Sequence, residues 1–128
     1  MPSSARATII GHLGGDPEQR QTPNGTTVLN FSVATSRRRG QQETTTWWRV
    51  SAFGQRAEGL AILTSRGLLA KGALVQVTGE AEQRFYTDRN DNERSSLDIN
   101  ADDVVFLIAP KNAQTTDDDS LKFDEVPF

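Results

Sequence analysis

In "TWWRVSAF", residues 46–53, two large rings and a guanidinium recur at alternate positions: Trp47, Arg49 and Phe53, with Ser51 between. Side chains alternate across an extended strand, so these four share one face while Trp48, Val50 and Ala52 share the other. A polar face carrying exposed rings works without making or breaking bonds: the rings stack on planar groups and the guanidinium pairs with anions. The pattern recurs in "ALVQVTGEAEQRFYT", residues 73–87, where Val75, Val77, Ala81 and Phe85 form an apolar row. Gln76, Thr78, Glu80, Glu82, Arg84 and Tyr86 form the opposite row, which places Tyr86 on the polar side beside Arg84. "SRRRG", residues 36–40, adds Arg37, Arg38 and Arg39, three guanidiniums side by side between two strand-like runs.

Rings interleaved with guanidiniums suit a single strand of nucleic acid. Stacking on an aromatic side chain is worth about 1–3 kcal/mol per base, the cations track the phosphates, and every base offers a π-face, so sequence matters little. The same spacing fits a second reading, in which Trp47 and Phe53 are core residues and a β-bulge shifts the alternation. The arginine run equally fits a solvated loop.

Covalent chemistry has little to stand on. The chain has no cysteine and a single histidine, His12. No Gly-x-Ser-x-Gly and no Gly-Lys-Ser/Thr phosphate loop occurs. An enzyme is not expected, nor a cofactor or a metal. Asp88, Asn90 and Asn92 match alternate positions of a calcium loop, but Glu93 replaces its glycine and Ile99 its final bidentate acid. "DRNDNERS" is better read as a polar hairpin tip.

These residues need a scaffold. Three β-rich runs, 5–13, 26–36 and 44–54, read as strands, and "GGDPEQRQTPNGT" between the first two is turn chemistry. Residues 55–72 read as one helix with a break near Gly67, using Ala57, Leu60, Ala61, Leu63 and Leu68. Strand-like runs at 73–87 and 96–108 complete the domain, which Pro110 closes. The expected fold is all-β: an OB-fold, a five-stranded Greek-key barrel with one helix between the third and fourth strands. It should occupy residues 1–108, and 109–128 should be a short linker and a disordered acidic tail.

Charge divides along the same line. The 128 residues carry a net charge of −3, yet residues 1–108 hold 12 basic and 12 acidic side chains while 109–128 hold 2 and 5. A neutral body leaves room for a local cationic surface. No stretch approaches the roughly 18 apolar residues of a membrane span, so the expectation is a cytoplasmic protein without a membrane partner.

Taken in order, "GHLGGDPEQR", "PNG", "NFSVATS", "TTWWRVSAFG", "AKGALVQVTGE", "RFYTD" and the terminal "FDEVPF" resemble the bacterial single-stranded DNA-binding protein family over about residues 4–108 plus the tip. The resemblance implies an OB-fold that assembles as a homotetramer and binds and protects single-stranded DNA in replication, recombination and repair, associated with the nucleoid. It places Trp47, Phe53 and Tyr86 at the family's base-stacking positions; Arg49, Arg84, Arg37, Arg38 and Arg39, singled out by the residue pattern, are the expected phosphate contacts. It also implies that Asp124, Glu125, Val126, Pro127 and Phe128 recruit DNA-maintenance proteins. Phe128 can fill an apolar pocket while the acids pair with a partner's basic side chains. This sequence departs from familiar members in having Arg39 and Tyr86 where tryptophans are common, Trp48 where a histidine is common, a longer 55–72 segment and a short connector. A competing expectation is an OB-fold adaptor or primosomal-type protein acting mainly through protein contacts.

Overall fold

The computed structural model describes residues 3–110. They form β1 (Arg6–Leu13), β2 (Glu18–Gln21), β3 (Thr27–Arg39), β4 (Gln42–Phe53), α1 (Gln55–Ser65), β5 (Leu74–Thr87) and β6 (Glu93–Ile108). β-Branched residues at alternate positions set the long strands, because one face of each can then be buried as a unit. Leu29, Phe31 and Val33 of β3, Val50 and Ala52 of β4, Val75 and Val77 of β5, and Ile99 and Ala101 of β6 meet in a single core.

β1 pairs with β5, β5 with β6, β6 with β4, and β4 with β3. β3 returns to β1 through His12↔Ala34 and Leu13↔Val33, which closes the sheet. Only the β4–β6 pair is parallel. This is the five-stranded OB barrel expected from the sequence, with its helix between the third and fourth barrel strands. β2 is an addition. It continues the β1 edge by pairing Glu18–Gln21 with Thr27–Asn30, across a turn in which the Gly25 amide donates to the Thr22 carbonyl at 2.8 Å. All four β2 residues are exposed, so no apolar alternation marks "EQRQ" as a strand.

The helix is shorter than its segment. It ends at Ser65, and Gly67 at φ 75° makes the break. Ala57 and Leu60 are buried, and the residue sealed below the break is Leu69, not Leu68. α1 packs on β3 and β4, at the barrel end opposite the β3–β4 and β5–β6 hairpin tips.

Closure depends on main chains meeting without side chains between them. A Cβ on Gly11 would lie 2.1 Å from the Ala34 carbonyl oxygen, and one on Gly79 would lie 2.1 Å from that of Asn100. At Gly79 the register also shifts, leaving Asp102 of β6 as the extra residue, where it pairs with Arg6. Gly11→Ala has no flexible neighbour to displace. It is expected to lower stability by about 1–3 kcal/mol, as overpacking does, and an unchanged urea-unfolding midpoint would contradict this close approach.

Candidate nucleic-acid interface

Parity within β4 holds without a bulge: β3 and β4 stay in register from Val28↔Phe53 to Arg39↔Gln42. Val50 and Ala52 are sealed inside, while Trp47 is 55% exposed and Phe53 45% exposed. The core reading of these two rings is thereby set aside. Register extends their face across the sheet. Arg49 lies opposite Ser32 on one side and Asp98 on the other, and Ser51 opposite Asn30 and Asn100. Asp98 faces Glu82, Ser96 faces Arg84 and Arg94 faces Tyr86. Trp47, Arg49, Phe53, Arg84 and Tyr86 therefore share one outer face, and Tyr86 is 45% exposed there.

Trp47 is held from beneath. A Cβ on Gly14 would come within 2.3 Å of Trp47 Cζ3, so the indole rests on bare main chain in the turn after β1. That turn is pinned by the Gly14 amide donating to the Ser32 carbonyl at 3.0 Å and the Lys71 amide donating to Asp16 Oδ1 at 2.9 Å. Between turn and sheet runs a shallow groove lined by Asp16, Asn30, Ser32, Arg49 and Ser51. The Ser51 hydroxyl donates to Asn30 Oδ1 at 2.8 Å. A second groove beside Phe53 is acidic, lined by Glu80, Glu82, Asp98 and Asn100. Arg84 is engaged there: its Nε lies 3.4 Å from Asp98 Oδ2 and its guanidinium carbon 5.8 Å from the Tyr86 ring centre.

The arginine run does not form a loop with three parallel cations. β3 continues to Arg39 because the hairpin turns within Gly40 and Gln41, with Gly40 at φ 61°. Glycine at the first central position is what a type II′ turn requires. Alternation then puts Arg38 on the Trp47 side and Arg37 and Arg39 on the reverse. All three are exposed, and none has an ion-pair partner among the described residues.

Phe85 departs from the sequence expectation. Its parity matches Val75 and Val77, but it is 73% exposed, because β5 has by then left the barrel as one side of a free hairpin arm. Gln83, an amide in the middle of the supposed apolar row, was the signal of that exit. The tip of this arm is organised by Asp88, whose Oδ1 accepts from the Asn90 and Asn92 amides and whose Oδ2 lies 3.0 Å from Arg94 Nε. The Arg94 hydrogen bond, followed by the Asn92 amide, holds the Asp88 carboxyl below the usual carboxylate range. Residues 124–128, the expected partner-binding tip, lie outside the described residues.

Residues 4–107 match the model of the single-strand binding protein family. The chain belongs to that family. It is 38% identical over 107 residues to the single-stranded DNA-binding protein of Neisseria meningitidis serogroup A, covering 80% of this chain and 59% of that protein. The Corynebacterium glutamicum protein of the same name is 36% identical over 104 residues, 76% of this chain and 44% of the relative. Single-stranded DNA-binding protein 1 of Chlorobaculum tepidum is 34% identical over 121 residues, 90% and 72%. This chain thus spans about three-fifths of the Neisseria relative's length. Family membership and the OB barrel agree, and no described helix is long and apolar enough to cross a membrane.

Because Gly14 is the support under Trp47, Gly14→Ala should push the indole off the turn while leaving the core intact. The expected result is altered Trp47 fluorescence with a nearly unchanged unfolding midpoint; identical spectra would mean the ring does not rest there.

Proposed function

We propose that this protein binds single-stranded DNA without sequence preference and protects it during replication, recombination and repair, with no bond chemistry of its own. Bases stack on Trp47, Phe53 and Tyr86, and Arg49, Arg84, Arg37, Arg38 and Arg39 contact phosphates. The observation that carries this reading is the exposure of three aromatic rings on one polar face, while Val50 and Ala52, alternating with them on β4, are sealed in the core. A stacking platform requires rings that stand half open to solvent, as Trp47 does. The names of the relatives point the same way.

Carboxylates on that face shape the path of the strand. Glu80, Glu82 and Asp98 beside Phe53 repel phosphate, so bases rather than backbone face that groove. Residues 1–108 act as the binding domain. Assembly into a homotetramer is supported by Ile10 and Val105, both exposed, which flank Gln76 on the outer face of β1, β5 and β6. Residues 109–128 form the linker and tail, through which Asp124, Glu125, Val126, Pro127 and Phe128 recruit DNA-maintenance proteins.

Tryptophan fluorescence during titration with oligo-dT tests the reading, with duplex DNA as control. Single strands should quench strongly and duplex much less, with log affinity falling by about 0.7 per phosphate contact for each log of salt. Trp47→Ala or Phe53→Ala should weaken binding about ten- to hundredfold. Folded variants that bind as well as the parent would sink the stacking assignment. Removing residues 126–128 should leave DNA affinity intact and abolish partner capture; recovery of the same partners by the truncated chain would refute the tail's role.

A further inference from the structure

Phe85 has the highest exposure of any large apolar side chain among the described residues, and nothing in the stacking face uses it. It stands on the β5–β6 arm opposite Ser95, a side chain too small to cover it, with Leu97 on the diagonal. Nearer the barrel the same side carries Ala81 and Ile99 toward the core. Tyr86, the next residue, points to the outer face. Register carries the Phe85 side onto the other arm: Leu97 lies beside Trp48, and Trp48 opposite Val33. Stepping by twos along β3 from Val33 reaches Arg37 and Arg39.

The two arms therefore share a reverse side, with a bare ring on one and two guanidiniums on the other. Trp48 and Leu97 sit at the fork, and the Trp48 indole N–H is already committed, donating to Thr35 Oγ1 at 3.0 Å. On the reverse side, Arg37 and Arg39 of the β3–β4 arm stand against one strand carboxylate of the β5–β6 arm, Glu93. That balance leaves a net positive charge for an anionic backbone.

We infer that this reverse side is a second contact for the same DNA strand, in which a base stacks on Phe85 while the phosphate contacts already proposed for Arg37 and Arg39 hold the backbone on that side. The inference rests on the proposed single-strand binding. A strand leaving Tyr86 needs only to round the arm's edge to meet Phe85, so the contact is available to long strands and not to short ones lying on the outer face.

The test compares oligo-dT of about 8 nucleotides, within the span of one OB barrel, with oligo-dT several times longer. Phe85→Leu keeps the apolar bulk and removes the aromatic face; Phe85→Trp keeps both. On the long strand, Phe85→Leu is expected to lose about tenfold in affinity and Phe85→Trp to match the parent, with no change on the short one. The double variant Arg37→Ser/Arg39→Ser should reduce the salt slope for the long strand by about 1.4. Unchanged long-strand affinity in the Leu variant and the double variant overturns the inference. So does altered sedimentation of Phe85→Leu at unchanged affinity, which would assign this side to contact between copies of the chain. If Trp47→Ala still weakens binding in that case, only the reverse-side contact falls; if the parent protein binds neither strand, the DNA-binding reading falls with it.

Discussion

Everything on the surface of this barrel depends on two places where main chain meets main chain. At Gly11, β1 stops pairing solely with β5 and begins to meet β3, and the Ala34 carbonyl occupies the space a side chain would need. At Gly79 the Asn100 carbonyl does the same while β6 takes up an extra residue at Asp102. A side chain at position 11 would block the β1–β3 contact that closes the barrel. Once it closes, strand parity acquires meaning: Val50 and Ala52 must face inward, and Trp47, Arg49 and Phe53 are left outside.

Support then passes outward in layers. α1 plugs one end of the barrel with Ala57 and Leu60, freeing the opposite end to extend as two hairpin arms. The turn after β1 lies along the outer face, and its bare Gly14 gives Trp47 a floor. The core fixes strand positions, the strands fix the rings, and the turn limits where one ring can tilt.

Much of this was legible in the residues. The five barrel strands and the outward rings follow from a period of two with apolar residues on one side, a signal that a buried face imposes strongly, and the helix from the helical spacing of Ala57, Leu60 and Leu63. What escaped lay where that signal lapses. "EQRQ" has no buried face, so β2 pairs through its backbone alone. Phe85 obeys the core parity but lies past the end of the barrel, and alternation records which side a residue takes, not how far the enclosed part of a strand extends. The arginine run looked like a loop because three adjacent cations suggest solvent; only the tight turn at Gly40 shows that they remain in β3. Gly14 lies within "GHLGGDPEQR", yet contact with a residue 33 positions away leaves no local trace.

The arms have one more physical consequence. A closed barrel has no exposed hydrogen-bonding edge, but β4 and β6 pair only from Trp48↔Leu97 to Ser51↔Asn100, so beyond the fork each arm is a two-stranded ribbon with open edges. Open edges invite a neighbouring chain to add a strand. On the β3–β4 arm the arginines at 37, 38 and 39 oppose that by mutual repulsion between approaching copies. Groups that suit an anionic polymer thus also keep empty molecules from zipping together.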